Sequence, residues 1–195
     1  MENDEKIMTS EESLKIITDM IARTKTNVRQ GSFHLLFWGW LILFCSLGEF
    51  LLMNYTHFKS PWNIWFLTIP GIFVSVGYGW SRGRKEHSHT YADVIYMMTW
   101  VGFAVVAVLM LIYLNRRSEL IPPFILLAAG FPTFLSGFIL KFRPLIIGGL
   151  TFWALSLAGF YAGPTLSQLT VPVAMLTGYL IPGYLLRKKD NHDAI

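Results

Sequence analysis

Apolar positions in this chain do not alternate with polar ones but gather into six runs of 18 to 21 residues, almost free of charge. They cover 33–53, 62–80, 94–114, 120–140, 145–162 and 169–186. As helices these runs measure about 27 to 32 Å, which matches the hydrocarbon core of a bilayer. A backbone in lipid must satisfy its own hydrogen bonds, so the pattern predicts an all-α integral membrane six-helix bundle. The chain then divides into a cytoplasmic segment over 1–32, a six-span domain over 33–186 and a short basic tail over 187–195.

Ahead of the first run the period changes. Thr9 followed by Glu12 reads as a capping box, Glu11 and Glu12 suit a first turn, and Arg23, Lys25 and Arg29 suit the end before Gly31. A separate amphipathic helix over about 10–30 is expected. On a helical wheel Leu14, Ile17, Met20, Ile21, Thr24 and Val28 share one side, and Lys15, Thr18, Ala22, Lys25 and Arg29 the other. The apolar stripe needs a cover. The inner leaflet or the cytoplasmic span ends would provide one, and a protein partner or a second copy of the chain would be the functional alternative. Polar Thr24 in a seam of barely two heptads argues against a stable coiled coil.

Spans two, four and six each contain a proline with glycine nearby: Pro70 with Gly71, Pro132 with Gly130, and Pro182 with Gly178 and Gly183. Each closes on a glycine, an aromatic and then a basic residue: Gly77, Tyr78 and Arg82; Gly137, Phe138 and Lys141; Gly183, Tyr184 and Arg187. Spans one, three and five carry Trp38 and Trp40, Trp100, and Trp153 towards the cytoplasm and lack interior proline. Two readings fit: a hairpin used three times, with kinks at Pro70, Pro132 and Pro182, or the ordinary abundance of Pro, Gly and Trp in membrane helices. Small residues at four-residue spacing, Gly71/Ser75/Gly79, Ala129/Thr133/Gly137 and Ala154/Ala158/Ala162, predict close helix packing.

Composition supports the membrane reading and removes alternatives. At 53% apolar, 15% aromatic and 14% charged residues, six spans leave no chain for a catalytic domain in water. With the N-terminus inside, thirteen Lys and Arg residues lie on the cytoplasmic side, and only Lys59, Arg116 and Arg117 outside. The positive-inside rule therefore puts both termini in the cytoplasm, with span one as an uncleaved signal anchor. Reporters fused after residue 57 or 166 are expected outside and those after 86 or 190 inside; a periplasmic signal from the residue 86 fusion would overturn the topology. The net charge of +4 calls for no nucleic acid.

Little in the spans carries chemistry. Cys45 is the single cysteine, which excludes an internal disulfide or a CxxC pair and leaves a small packing residue. Glu49 is the one acid well inside a span, about a turn from its outer end; such residues are functional suspects, although Lys59 or headgroup water could satisfy it. His87, His89 and Asp93 share a polar loop with Arg82, Arg84, Lys85 and Glu86, a weak metal pattern and a better site for anionic headgroups. His34 and His57 suit the interfaces, and the Asn54-Tyr55-Thr56 sequon abuts the membrane. There is no HExxH, no aspartate pair within spans and no Walker loop. Leu135-Ser136-Gly137 matches part of a rhomboid serine motif, but Phe134 replaces its glycine and span six has no histidine as base. No enzyme, cofactor or metal is expected.

Ser13-Leu14-Lys15-Ile16-Ile17, then Gly31-Ser32-Phe33 and Leu36-Phe37-Trp38-Gly39-Trp40-Leu41, resemble the opening of a group of small uncharacterised bacterial membrane proteins. That resemblance implies six spans in the bacterial cytoplasmic (inner) membrane and no assigned activity. Some of those proteins are encoded beside small winged-helix regulators, which points to a regulatory partner. The first functional expectation is a membrane-embedded sensor or regulatory partner acting through its cytoplasmic helix. The second is a small transporter or channel for a cationic or lipidic solute, using the kinks, Glu49 and aromatic faces; with one buried acid it would need a homo-oligomer.

Overall fold

A computed structural model describes residues 10–56, 58–83, 91–114 and 118–192, with the backbone alone over 10–31, 82–83, 92–93, 118 and 189–192. Every regular element among these residues is helical. The order is α1 (Ser10–Tyr55), a 3-10 helix (Pro61–Leu67), α2 (Thr68–Gly83), α3 (Tyr91–Leu114), a 3-10 turn (Ser118–Leu120), α4 (Ile121–Ile139), α5 (Arg143–Tyr161), α6 (Pro164–Met175), a π-helical turn (Leu176–Leu180) and α7 (Ile181–His192). Six helical stretches are long and apolar enough to cross a membrane, and they coincide within a few residues with the six runs. The last joins α6, the π turn and α7.

One expectation changes at the N-terminus. The helix over 10–30 is present, but it does not stop at Gly31: α1 is a single helix of 46 residues, roughly 69 Å long. Glycine inside a helix costs only about 1 kcal/mol relative to alanine. It ends a helix when its φ turns positive, and no glycine here has positive φ.

α1, α4, α5 and the α6–α7 unit form the centre of the bundle. Leu126, Leu145 and Phe152 are fully buried there with Leu35, Leu43, Val171, Ala174 and Leu180. α4 and α5 pack closest, as backbone against backbone: a Cβ added to Gly149 would lie 2.7 Å from Phe134 Cα and N, and one on Gly137 2.6 Å from Ile146 N. The small-residue stripe of α4, Ala129, Thr133 and Gly137, is buried, but only Gly137 of it is seen against α5, and Thr133 turns to Tyr179 of the π turn. On α5 the expected stripe is corrected. Ala154 and Ala158 are exposed, and Gly148, Gly149, Phe152, Ser156 and Gly159 form the buried face. Their register is one helix side away, because glycine rather than alanine allows this spacing.

α2 and α3 lie at the edge, and the hydrophobic stretches they carry are 6% and 0% buried within the chain. α2 leans on α1, where Gly71 meets Leu41 and Phe37, while Gly79 has nothing within 4 Å of an added Cβ. The less exposed positions of α3 are Tyr96, Trp100, Phe103, Ala107, Met110 and Leu114, with Thr99 beside them on the same side. This 4-3-4-3-4 spacing is a single stripe, which turns to α4.

The three proline sites have three different backbone settings. Pro70 is the third residue of α2, just after the 3-10 helix gives way to α. Pro132 stands inside an unbroken α4. Pro182 follows the π turn directly. The Gly-aromatic-basic endings differ as well. In α4 it forms a Schellman stop, with Phe142 N–H bonded to Gly137 C=O at 2.8 Å and Lys141 N–H to Phe138 C=O at 3.1 Å, Lys141 taking φ 49°. α2 and α7 run on beyond their copies of the motif.

Candidate functional site

Residues able to do more than fill space are strung along α1 and the π turn. Near the C-terminal end of α1, Glu49 is half-buried and its Oε2 accepts a hydrogen bond from the Trp65 indole N–H at 2.8 Å. The partner is therefore an aromatic N–H on the 3-10 helix, not Lys59. The 3-10 segment is held by two further contacts: the buried Cys45 thiol reaches Ile64 C=O at 3.6 Å, and Ile64 packs over Gly48. Asn54 and Thr56 of the sequon turn back on the helix, Nδ2 bonding Phe50 C=O at 2.8 Å and Oγ1 bonding Leu52 C=O at 2.7 Å. Both are back-bonds to the carbonyl four residues earlier, made within the last turns of α1.

Midway along, α1 is seated on the π turn. A Cβ on Gly39 would lie 2.9 Å from Leu180 Cδ2 and 3.1 Å from Tyr179 Cβ. One turn further down, Gly183 of α7 accommodates Leu36 and Leu35. At and before this level α1 is gripped from both sides. Trp38 Nε1 donates to Ser75 Oγ of α2 at 3.3 Å, and Trp40 Nε1 to the Tyr184 hydroxyl of α7 at 3.2 Å. Phe33 stacks on Tyr78 with ring centroids 3.9 Å apart, and His34 meets the same ring edge-on.

Behind the π turn lies a buried polar and aromatic cluster. The Tyr179 hydroxyl is 3.3 Å from Thr133 Oγ1, and its ring packs on Phe152 and Trp100. Tyr96 reaches Ser136 and Trp100. The buried Trp100 N–H has no partner of hydrogen-bonding geometry among the described residues, and neither has Ser167 Oγ. Ser136 Oγ donates to Pro132 C=O at 2.6 Å, a back-bond within the helix that gives it no base.

The chain matches no protein-family model, and no curated protein or solved structure is significantly similar to it. Its chemistry is read from its residues alone. Among the described residues no group of three His, Cys, Asp or Glu side chains could hold a metal ion. His57, His87 and His89 lie outside the described residues, as do the side chains of Asp93, Leu14, Ile17, Met20, Ile21 and Val28. Of the sequence candidates, Glu49 meets Trp65 of the 3-10 helix, Pro132 lends its carbonyl to Ser136 in the buried cluster, Pro182 is buried just after the π turn, and Pro70 is exposed. Trp65, Tyr96 and Tyr179 were absent from the expected set. An aromatic in a membrane sequence reads as belt or core, and nothing local distinguishes one whose polar tip is bonded.

Proposed function

We propose that this chain is a membrane-embedded sensor or regulatory partner whose cytoplasmic helix reports the state of the bundle to another protein. The supporting observation is the continuity of α1: the segment with the apolar face and the segment seated on the π turn are one helix without a joint. A rigid rod carries a shift at Gly39 to residues 14–28, whereas a hinged one would absorb it. The chain sits in the bacterial cytoplasmic membrane with both termini inside, and its partner is a cytoplasmic protein recognised by Leu14, Ile17, Met20, Ile21 and Val28. It acts without catalysis or a cofactor.

A second reading, a small transporter or channel for a cationic or lipidic solute, is favoured by the held carboxylate of Glu49. One experiment separates them. Ile17→Glu with Ile21→Glu is expected to abolish binding and regulation of the partner while leaving the spans inserted, since two charges on the apolar face remove most of its burial energy. Glu49→Gln is expected to leave that regulation intact. Loss of quaternary ammonium uptake into proteoliposomes in Glu49→Gln, with the helix variant behaving as wild type, would reverse the order of the two readings.

A further inference from the structure

Span six changes helix type inside the bilayer, and the change strips two carbonyls of their ordinary donors. In continuous α-helix Thr177 C=O would accept from the Ile181 N–H, and Gly178 C=O from the N–H of residue 182. Here the Ile181 N–H goes to Leu176 C=O, and residue 182 is proline, which has no N–H. The Gly178 oxygen faces α5 instead: a Cβ on Gly148 would lie 2.8 Å from it. Thr177 C=O is the one left short, since its π-register donor would be residue 182 as well, and hydrocarbon offers no water to make up the difference. Packing from outside therefore holds the wide turn. Phe152 fills the space beside Gly178, Thr133 holds the Tyr179 hydroxyl, and Gly39 of α1 rests on Tyr179 and Leu180.

We propose that this turn is a movable register switch, shifting along span six between Pro172 and Pro182, and that α1 reads its position at Gly39. A π turn holds one residue too many for an α-helix, and each residue it passes rotates by about 100° around the axis. Such a step takes Tyr179 off Thr133 and Leu180 off Gly39. Because Gly39 has no side chain to cushion the contact, α1 has to move with the turn. The use made of that motion rests on the regulatory reading; the motion itself does not.

Hydrogen–deuterium exchange on the full chain in lipid nanodiscs tests it. In the wild type, amides over 176–181 are expected to exchange about tenfold faster than those over 171–175. Pro182→Ala supplies the missing N–H, favours the α register and is expected to slow the segment by about tenfold. Seating of α1 is checked in a Cys45→Ala background by Leu35→Cys with Gly183→Cys, since a Cβ at 183 would lie 3.3 Å from that of Leu35, close to disulfide spacing. Should Pro182→Ala loosen all of span six, deletion of Leu176 removes the surplus residue directly and is read the same way. Uniform exchange across span six in the wild type overturns the proposal, as does a Pro182→Ala chain that keeps the crosslink and the wild-type rates. These readouts need no partner, so failure of the Ile17→Glu/Ile21→Glu experiment would sink the regulatory reading and leave the moving turn standing.

Discussion

A Gly149→Val chain is expected to yield no folded bundle. Its Cβ would stand 2.7 Å from the Cα, Cβ and N of Phe134, and backbone atoms in the middle of α4 cannot step aside as a side-chain tip can. The two helices would have to separate, which also opens the Gly137–Ile146 contact and draws Trp153 away from Gly130. Overpacking a core costs about 1 to 3 kcal/mol when neighbours can adjust; with backbone on both sides, at least about 3 kcal/mol is expected, a large part of a small protein's stability. The measurement is the monodisperse fraction and thermal midpoint in mild detergent. Gly102→Val is the control, because nothing lies within 4 Å of a Cβ added there, and it should behave as wild type. Equal yields from the two variants would mean that α4 and α5 do not meet in this register.

Gly31→Pro is expected to disconnect the N-terminal part of α1 while leaving the six spans assembled. Proline in a helix interior removes one hydrogen bond and clashes with the preceding turn, at about 3 kcal/mol. Contacts from Ser32 onward keep the membrane part seated on α2 and α7. Spin labels on Thr18 and Phe44 give a direct readout: along one unbroken helix these positions are about 39 Å apart. The wild type should show one narrow distance distribution there, and Gly31→Pro a shorter and broader one. Gly31→Ala, a better helix former, should keep or sharpen the peak. A broad distribution in the wild type would remove the rod on which the regulatory reading depends.

The six membrane-length helices could be read from the sequence because hydropathy is a local property and lipid imposes helix wherever it is high. The residues that matter within them could not be read in the same way. Glu49 stands out as an acid among apolar neighbours, but its bond to Trp65 joins residues separated by the end of one helix and the start of another. Pro182, Gly178 and Gly183 marked a disturbance in span six without specifying its kind. Bend, break and π turn are all answers to a missing N–H, and the choice fell to Phe152, Gly148 and Gly39 packing around it. Gly31 misled in the other direction, since its weak preference against helix is outweighed by the residues on either side. Lys141 takes the left-handed position expected of glycine at the end of α4. The cost of about 1 to 2 kcal/mol is repaid by the two carbonyls that its turn satisfies.

The peripheral placement of α2 and α3 bears on how the chain is made. α1 emerges from the ribosome first, yet its seat at Gly39, Leu36 and Leu35 is built from Leu180 and Gly183, which are synthesised more than a hundred residues later. Until then it has only the 3-10 helix and α2 as neighbours, and α3 reaches the membrane before α4, the helix on which it leans, exists. α3 must therefore be stable in lipid before its neighbour arrives, which suits a helix whose hydrophobic stretch is almost wholly exposed within the chain. Closure of the bundle waits for the last span, so truncations within α6 or α7 leave early spans that are inserted but unassembled, and membrane quality-control proteases are expected to find them in that state.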